Sequence, residues 1–187
     1  MKGRREDPSV TQPAFEALVE RHSGEIYAYL WRMLRDPDLA SDCLQETFLR
    51  ALRAFPRLQH RDHLRAWLYT IATHQARTLQ RQDARHQARR SELSEELVDP
   101  RPSVGRQVVD RETLRRVLQA VQRLPQKQRQ ALILRRYQGL DYAEIASVLG
   151  VNSAAARTNV HLAQGKLKAW LVDDGLESRI PRRRGKS

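Results

Sequence analysis

With 187 residues, the chain has room for one ordinary domain or two small ones, and Lys and Arg outnumber Asp and Glu by 34 to 22, a formal charge of +12. That excess favours a polyanionic partner, nucleic acid first, through phosphate neutralisation and counterion release. The single cysteine, Cys43, excludes an internal disulfide, and no run approaches the roughly 18 to 20 apolar residues needed to cross a bilayer, so a reducing cytoplasm is expected, with neither secretion nor membrane insertion.

Residues 1–13 read as a charged, proline-bearing extension. A first helix begins around Thr11 and Pro13, with Phe15, Leu18, Val19, Ile26, Tyr29, Leu30, Met33 and Leu34 at helical spacing. Asp36-Pro37 ends it and starts the next helix, because Asp can accept from orphan N–H groups while Pro is tolerated in a first turn. From there Ala40, Cys43, Leu44, Thr47, Phe48, Ala51, Leu52 and Phe55 form one stripe, which Pro56 ends. A third stripe runs through Leu64, Trp67, Leu68, Ile71, Ala72 and Leu79, and three such faces can enclose a small core over residues 14–90. If that third helix continues, Arg77, Arg81, Arg85 and Arg89 make a self-repelling row that a polyanion would relieve. His60 and His63 lack a matching ligand pair and point to no metal.

Periodicity fails over 91–106, where Glu92, Glu95, Glu96 and Asp99 precede Pro100 and Pro102, the composition of an acidic flexible linker. A second domain spans 107–172. Leu114, Val117, Leu118 and Val121 face one helix, stopped by Leu124-Pro125, and Gln126 to Gln138 make the next, closed by Gly139. The basic tail, 173–187, has no apolar face.

The strongest motif lies near the end of this second domain. Asp141-Tyr-Ala-Glu144 has the form of a capping box opening a short helix, and Gly150-Val151-Asn152 supplies a tight turn before Ser153 caps a longer helix. On that helix Ala156, Val160, Ala163, Leu167 and Trp170 face inward. The opposite side carries Ala154, Arg157, Thr158, His161 and Leu162, with Gly165 and Lys168 beyond, a set suited to a major groove. No phosphate-binding loop, nucleophile elbow or ordered catalytic constellation is present, so an enzyme is not expected, and no cofactor is called for. An autonomous helix-turn-helix regulator is the alternative that the second domain alone would suit.

Asp42-Cys-Leu-Gln-Glu-Thr-Phe-Leu-Arg50-Ala, followed by Trp67-Leu-Tyr-Thr-Ile-Ala72, resembles region two of the sigma-70 family of RNA polymerase sigma factors. Leu124-Pro125 through Leu167 resembles region four, and two regions with only a linker between them resemble the extracytoplasmic-function (ECF) subgroup. The resemblance implies an all-α fold of two small domains: a three-helix region two, and a four-helix region four with its helix-turn-helix. It also implies docking on the clamp helices of the largest polymerase subunit through Asp42, Gln45, Glu46 and Arg50. Further partners it implies are the polymerase flap, promoter DNA and an anti-sigma factor.

For the minus-ten element the resemblance points to the loop before the third helix, with Arg57, Gln59, His60 and Arg61, and to exposed positions Arg65, Tyr69, Thr73, His74 and Arg77 of that helix. Trp67, on the apolar stripe, reads as core. For the minus-thirty-five element it points to Ser153, Ala155, Arg157, Thr158, His161 and Leu162. The acidic linker would thread toward the RNA path. Departures from the family pattern are His74, where asparagine is frequent, and Asn159, Leu162 and Gln164, where arginine or lysine is common.

Overall fold

The computed structural model describes the backbone of residues 8–58, 62–90 and 111–173, and side chains over 13–58, 62–82, 113 and 115–172. The acidic linker, the basic tail beyond Asp173, and the loop residues Gln59, His60 and Arg61 lie outside the described residues. Among the described residues there is no strand. The order is α1 (Pro8–Leu34), α2 (Pro37–Ala54), a 3₁₀ turn (Phe55–Arg57), α3 (Leu64–Arg90), α4 (Arg111–Arg123), α5 (Gln126–Arg136), α6 (Tyr142–Leu149) and α7 (Ser153–Asp173).

Helix α1 starts ahead of Thr11 and carries Pro13 inside it. Its missing N–H removes one bond, to the carbonyl four residues back, within the second turn of a long helix. The break before α2 is as the residues dictate: Asp36 is extended, its Oδ1 accepts from the Leu39 N–H at 2.9 Å, and Pro37 follows in the first turn. Ala40, Cys43, Thr47 and Ala51 are the buried side of α2, and the Thr47 hydroxyl is satisfied by the Cys43 carbonyl at 2.6 Å. Leu52, expected on that stripe, is 44% exposed and sits with Leu49 on the outer side.

Aromatic rings fill the first unit. Phe15 meets Phe48 and Phe55 edge-on, with centroids 6.4 and 5.3 Å apart, and Tyr29 meets Tyr69 in the same way at 5.3 Å. Trp67 packs against this cluster, 6.4 Å from Phe55, as its place on the stripe predicts.

The second unit is built from smaller side chains. Ala131, Ile133, Leu134, Ile145, Ala146, Val148, Ala156 and Val160 are buried, and Val117, Ala120, Leu167, Trp170 and Leu171 close its far end. The sequence offered no sign of how the two units meet. Buried residues of α1, α2 and α3 and those of α5, α6 and α7 belong to one continuous apolar cluster, with α6 packed along α3 and α5 against α1.

Candidate functional site

The helix-turn-helix is built by local chemistry. Asp141 Oδ1 accepts from the Glu144 N–H and Glu144 Oε2 accepts from the Asp141 N–H, each at 2.8 Å, a complete capping box. At the other end of α6, Gly150 takes φ 65° and ψ 44°, a left-handed conformation that costs any side chain with a Cβ, and Val151 N–H returns to the Ala146 carbonyl at 3.0 Å. The cap of α7 is Asn152, not Ser153. Its Oδ1 accepts from the Ala155 N–H at 2.7 Å, and Ser153 is the first helical residue.

Ala156, Val160 and Ala163 face inward as the spacing requires, and Ser153, Ala154, Arg157, Thr158, His161 and Leu162 are exposed, Leu162 at 45%, with Ala155 half-buried beside them. Arg157 lies over the Tyr142 ring at 5.0 Å, and Tyr142, Arg157, Thr158, His161 and Gln164 line a shallow hollow on this face. Two of the residues that depart from the family pattern are not aimed outward. Asn159 Nδ2 donates to the Ala155 carbonyl at 2.9 Å, and the Gln164 amide, with its oxygen turned toward Arg136, accepts from that guanidinium at 2.7 Å. They are structural.

The outer side of α2 is a second surface. Asp42, Gln45 and Arg50 are exposed and Glu46 partly so, and Arg50 Nε donates to Glu46 Oε1 at 2.6 Å, an exposed pair worth little for stability. Exposed Leu49 and Leu52 stand among these polar groups. Leu49 escaped the sequence reading because a leucine beside a helical stripe looks like core. Behind this surface, burial pushes the Cys43 thiol up to about 12, so it packs as a small apolar side chain.

The face of α3 expected to be open is the third surface, and here the structure corrects the exposure read from sequence. Tyr69 and Thr73 are both fully buried. Thr73 Oγ1 shares a 2.8 Å hydrogen bond with Tyr29 OH, whose pKa burial pushes up to about 12. Tyr69 OH donates to Gln138 Oε1 at 3.1 Å. Arg65 is bidentate to Glu25, with Nη2 to Oε2 at 2.8 Å, and also donates to the Gln138 carbonyl. Burial alone would raise the Glu25 carboxyl, but hydrogen bonds from Arg65 and His22 outweigh it and hold the group below the usual glutamate range. Arg77 donates to Gln130 Oε1 from Nη2 at 2.7 Å and from Nε at 3.2 Å. Of the expected set on α3, only His74 is fully open, while Arg57 is exposed at the end of the 3₁₀ turn. The arginine row is interrupted at its first member, Arg81 is exposed, and the side chains of Arg85 and Arg89 lie outside the described residues.

Residues 18–86 match Sigma-70 region 2 and residues 114–167 match Sigma-70, region 4. The chain is 32% identical to the RNA polymerase sigma factor YlaC of Bacillus subtilis, over 89% of this chain and 97% of that one. It is 34% identical to the sigma factor CarQ of Myxococcus xanthus, over 89% and 94%, and 33% identical to the ECF sigma factor SigC of Mycobacterium tuberculosis, over 87% and 86%.

The chain belongs to the sigma-70 family, in its ECF subgroup.

As a sigma factor it binds core RNA polymerase, directs initiation at promoters and is not an enzyme. The region 2 match leaves the alternative of an autonomous helix-turn-helix regulator unfavoured. Solved structures agree in fold. The sigma factor RpoE of Bartonella quintana, crystallised with the anti-sigma factor NepR, superposes with TM-score 0.73 at 22% identity over 86% of this chain and 98% of that one. CnrH, solved with the cytosolic domain of CnrY, superposes with TM-score 0.67 at 26% identity over 89% and 92%. Among the described residues no helix of the sigma factor is long and apolar enough to cross a membrane.

Proposed function

We propose that this sigma factor divides its work among the three surfaces. The outer side of α2, with Asp42, Gln45, Glu46, Arg50 and the neighbouring Leu49 and Leu52, docks on the clamp helices of the polymerase. The observation that carries this assignment is the pair of exposed leucines set among acidic and amide groups, an apolar centre with a polar rim of the kind that makes a specific protein contact. The loop Arg57 to Asp62 and α3, through exposed His74 and the half-buried Arg65 and Arg77, meet the minus-ten element, and Gln59, His60 and Arg61 complete that loop.

Helix α7 enters the major groove of the minus-thirty-five element. Arg157 is its bidentate guanine donor, Thr158 and His161 serve as shorter polar contacts, and Ser153 and Ala155 border the backbone approach. Leu162 supplies an apolar contact of the kind a thymine methyl group accepts. The domain limits 14–90 and 107–172, a linker over 91–106, a cytoplasmic location and a protein antagonist complete the reading. The antagonist is supported by CnrH, which was solved holding a partner's cytosolic domain.

Leu49→Ala with Leu52→Ala tests the docking surface. Both side chains are exposed, so helicity and unfolding midpoint should stay near the wild type, while affinity for core polymerase falls about tenfold or more. Unchanged affinity in a pull-down titration would move the docking surface elsewhere.

A further inference from the structure

We infer that the ring of Tyr142 is a platform that holds the Arg157 guanidinium ready for one guanine of the upstream element, so that Tyr142 sets specificity without itself reading a base. The inference rests on the assignment of α7 to the minus-thirty-five element made above.

Arginines at the joins of this chain spend donors inside it. Arg65 is bound to Glu25 and Gln138, Arg77 to Gln130, and Arg129 to Gln122. Arg157 differs. Among the described residues no hydrogen bond or ion pair takes any of its N–H groups, and what holds it is the Tyr142 ring, 5.0 Å from guanidinium carbon to ring centroid. A ring face attracts a cation through its quadrupole and uses none of the donors. All five N–H groups therefore stay available for a forked contact with O6 and N7 of a guanine.

The ring is itself held. Tyr142 is the first residue of α6, directly after Asp141, whose capping box with Glu144 fixes the start of that helix. It is half-buried and packs against the apolar cluster. The Arg135 guanidinium lies 4.8 Å from the same ring centroid and is tied to the Leu140 carbonyl at 2.9 Å. The platform thus belongs to α6, its brace to α5 and the arginine to α7, and the left-handed turn at Gly150 brings ring and guanidinium together.

An arginine side chain carries much rotamer entropy, and holding its plane before DNA arrives removes part of that cost from binding. The gain applies only where a bidentate acceptor waits. At a base pair that offers no such acceptor the held fork is left unmatched, so the platform raises discrimination more than overall affinity. No carboxylate is among the residues lining the hollow, so none of them competes with guanine for the fork.

The test uses RNA polymerase reconstituted with the full chain. Its probes are promoter duplexes carrying the upstream element recovered from the factor's own transcripts, each position changed in turn to the other three base pairs. Arg157→Ala should flatten the preference for guanine at one position by about fivefold or more, the lower end of what a bidentate contact contributes. Tyr142→Leu should lower the preference at that same position by about two- to fivefold, the range of one exposed cation–π contact, and leave the salt dependence of binding near wild type. Tyr142→Phe keeps the ring and should keep the preference, whereas Tyr142→Met, a second side chain without a ring, should lower it as Leu does. Circular dichroism checks that the helices of each variant persist. In an Arg157→Ala background Tyr142→Leu should change nothing further at that position, because the ring acts only through the guanidinium.

Each contrary result has its own meaning. An unchanged preference at every position with Arg157→Ala would remove the groove assignment of α7, and the platform with it. A profile flattened by Arg157→Ala but left as wild type by both Tyr142→Leu and Tyr142→Met would overturn the platform alone. So would an equal loss at every position with Tyr142→Phe, which would assign the role of Tyr142 to its hydroxyl.

Discussion

The two units of this sigma factor are stabilised by different means. Region 2 is organised around large rings, Phe15, Phe48, Phe55, Tyr29 and Tyr69, that reach across from three helices and touch edge to face. Region 4 is organised around aliphatic side chains, leucine and isoleucine with alanine and valine, and what shapes it is local: a capping box, a left-handed glycine, an asparagine cap. A core of rings depends on residues distant in sequence arriving together, whereas a helix-turn-helix carries most of its instructions within a dozen residues. Substitutions of the same nominal size should therefore act differently in the two regions.

The largest effect is expected in region 2. Phe55 is 1% exposed and touches Phe15 and Trp67, so Phe55→Ala leaves a void that its neighbours cannot close. A loss of about 3 to 5 kcal/mol is expected, read from urea unfolding. A loss below about 1 kcal/mol would mean that the rings contribute no more than one ordinary contact each.

Next comes the turn of region 4. Among the described residues, and beyond its own chain neighbours, no atom lies within 4 Å of where a Cβ at Gly150 would stand, yet its φ of +65° is unfavourable for an L side chain. Gly150→Ala should cost about 1 to 2 kcal/mol through backbone strain alone. Gly165 has the same open surroundings inside α7 without the positive φ, and Gly165→Ala should stabilise by up to about 1 kcal/mol. Opposite signs for two substitutions in equally open space would isolate the backbone as the cause.

The smallest effect belongs to the Glu25–Arg65 pair, partly open to solvent. Because the folded state holds the Glu25 pKa below its usual range, its contribution is present above the ordinary glutamate value and is lost as pH falls through the lowered one. Midpoints of wild type and Glu25→Gln, compared across pH, should differ at neutrality and converge as pH falls below about 4. A gap that persists at low pH would assign the effect to packing.

From the sequence by itself came the helices, their breaks and the helix-turn-helix, because each is written in short-range terms: Asp36 before Pro37, Asp141 with Glu144, glycine at a left-handed turn. The exposed face of α7 was legible for the same reason, since one side of that helix is packed and periodicity finds it. Where two local signals competed, at Asn152 and Ser153, only the observed bond to Ala155 decided the cap.

Tertiary structure alone decided what covers α3. Periodicity reports one apolar face per helix, and α3 is enclosed by helices of its own unit on one side and by region 4 on the other. Tyr69 and Thr73 are polar enough to look exposed, and they tolerate burial because Gln138 and Tyr29 satisfy them from 69 and 44 residues away. No short-range pattern carries that pairing. Leu49 and Leu52 show the converse, apolar side chains left outside because nothing within the described chain covers them. A hydrogen bond between distant segments, and an apolar side chain left uncovered, are properties of the assembled fold.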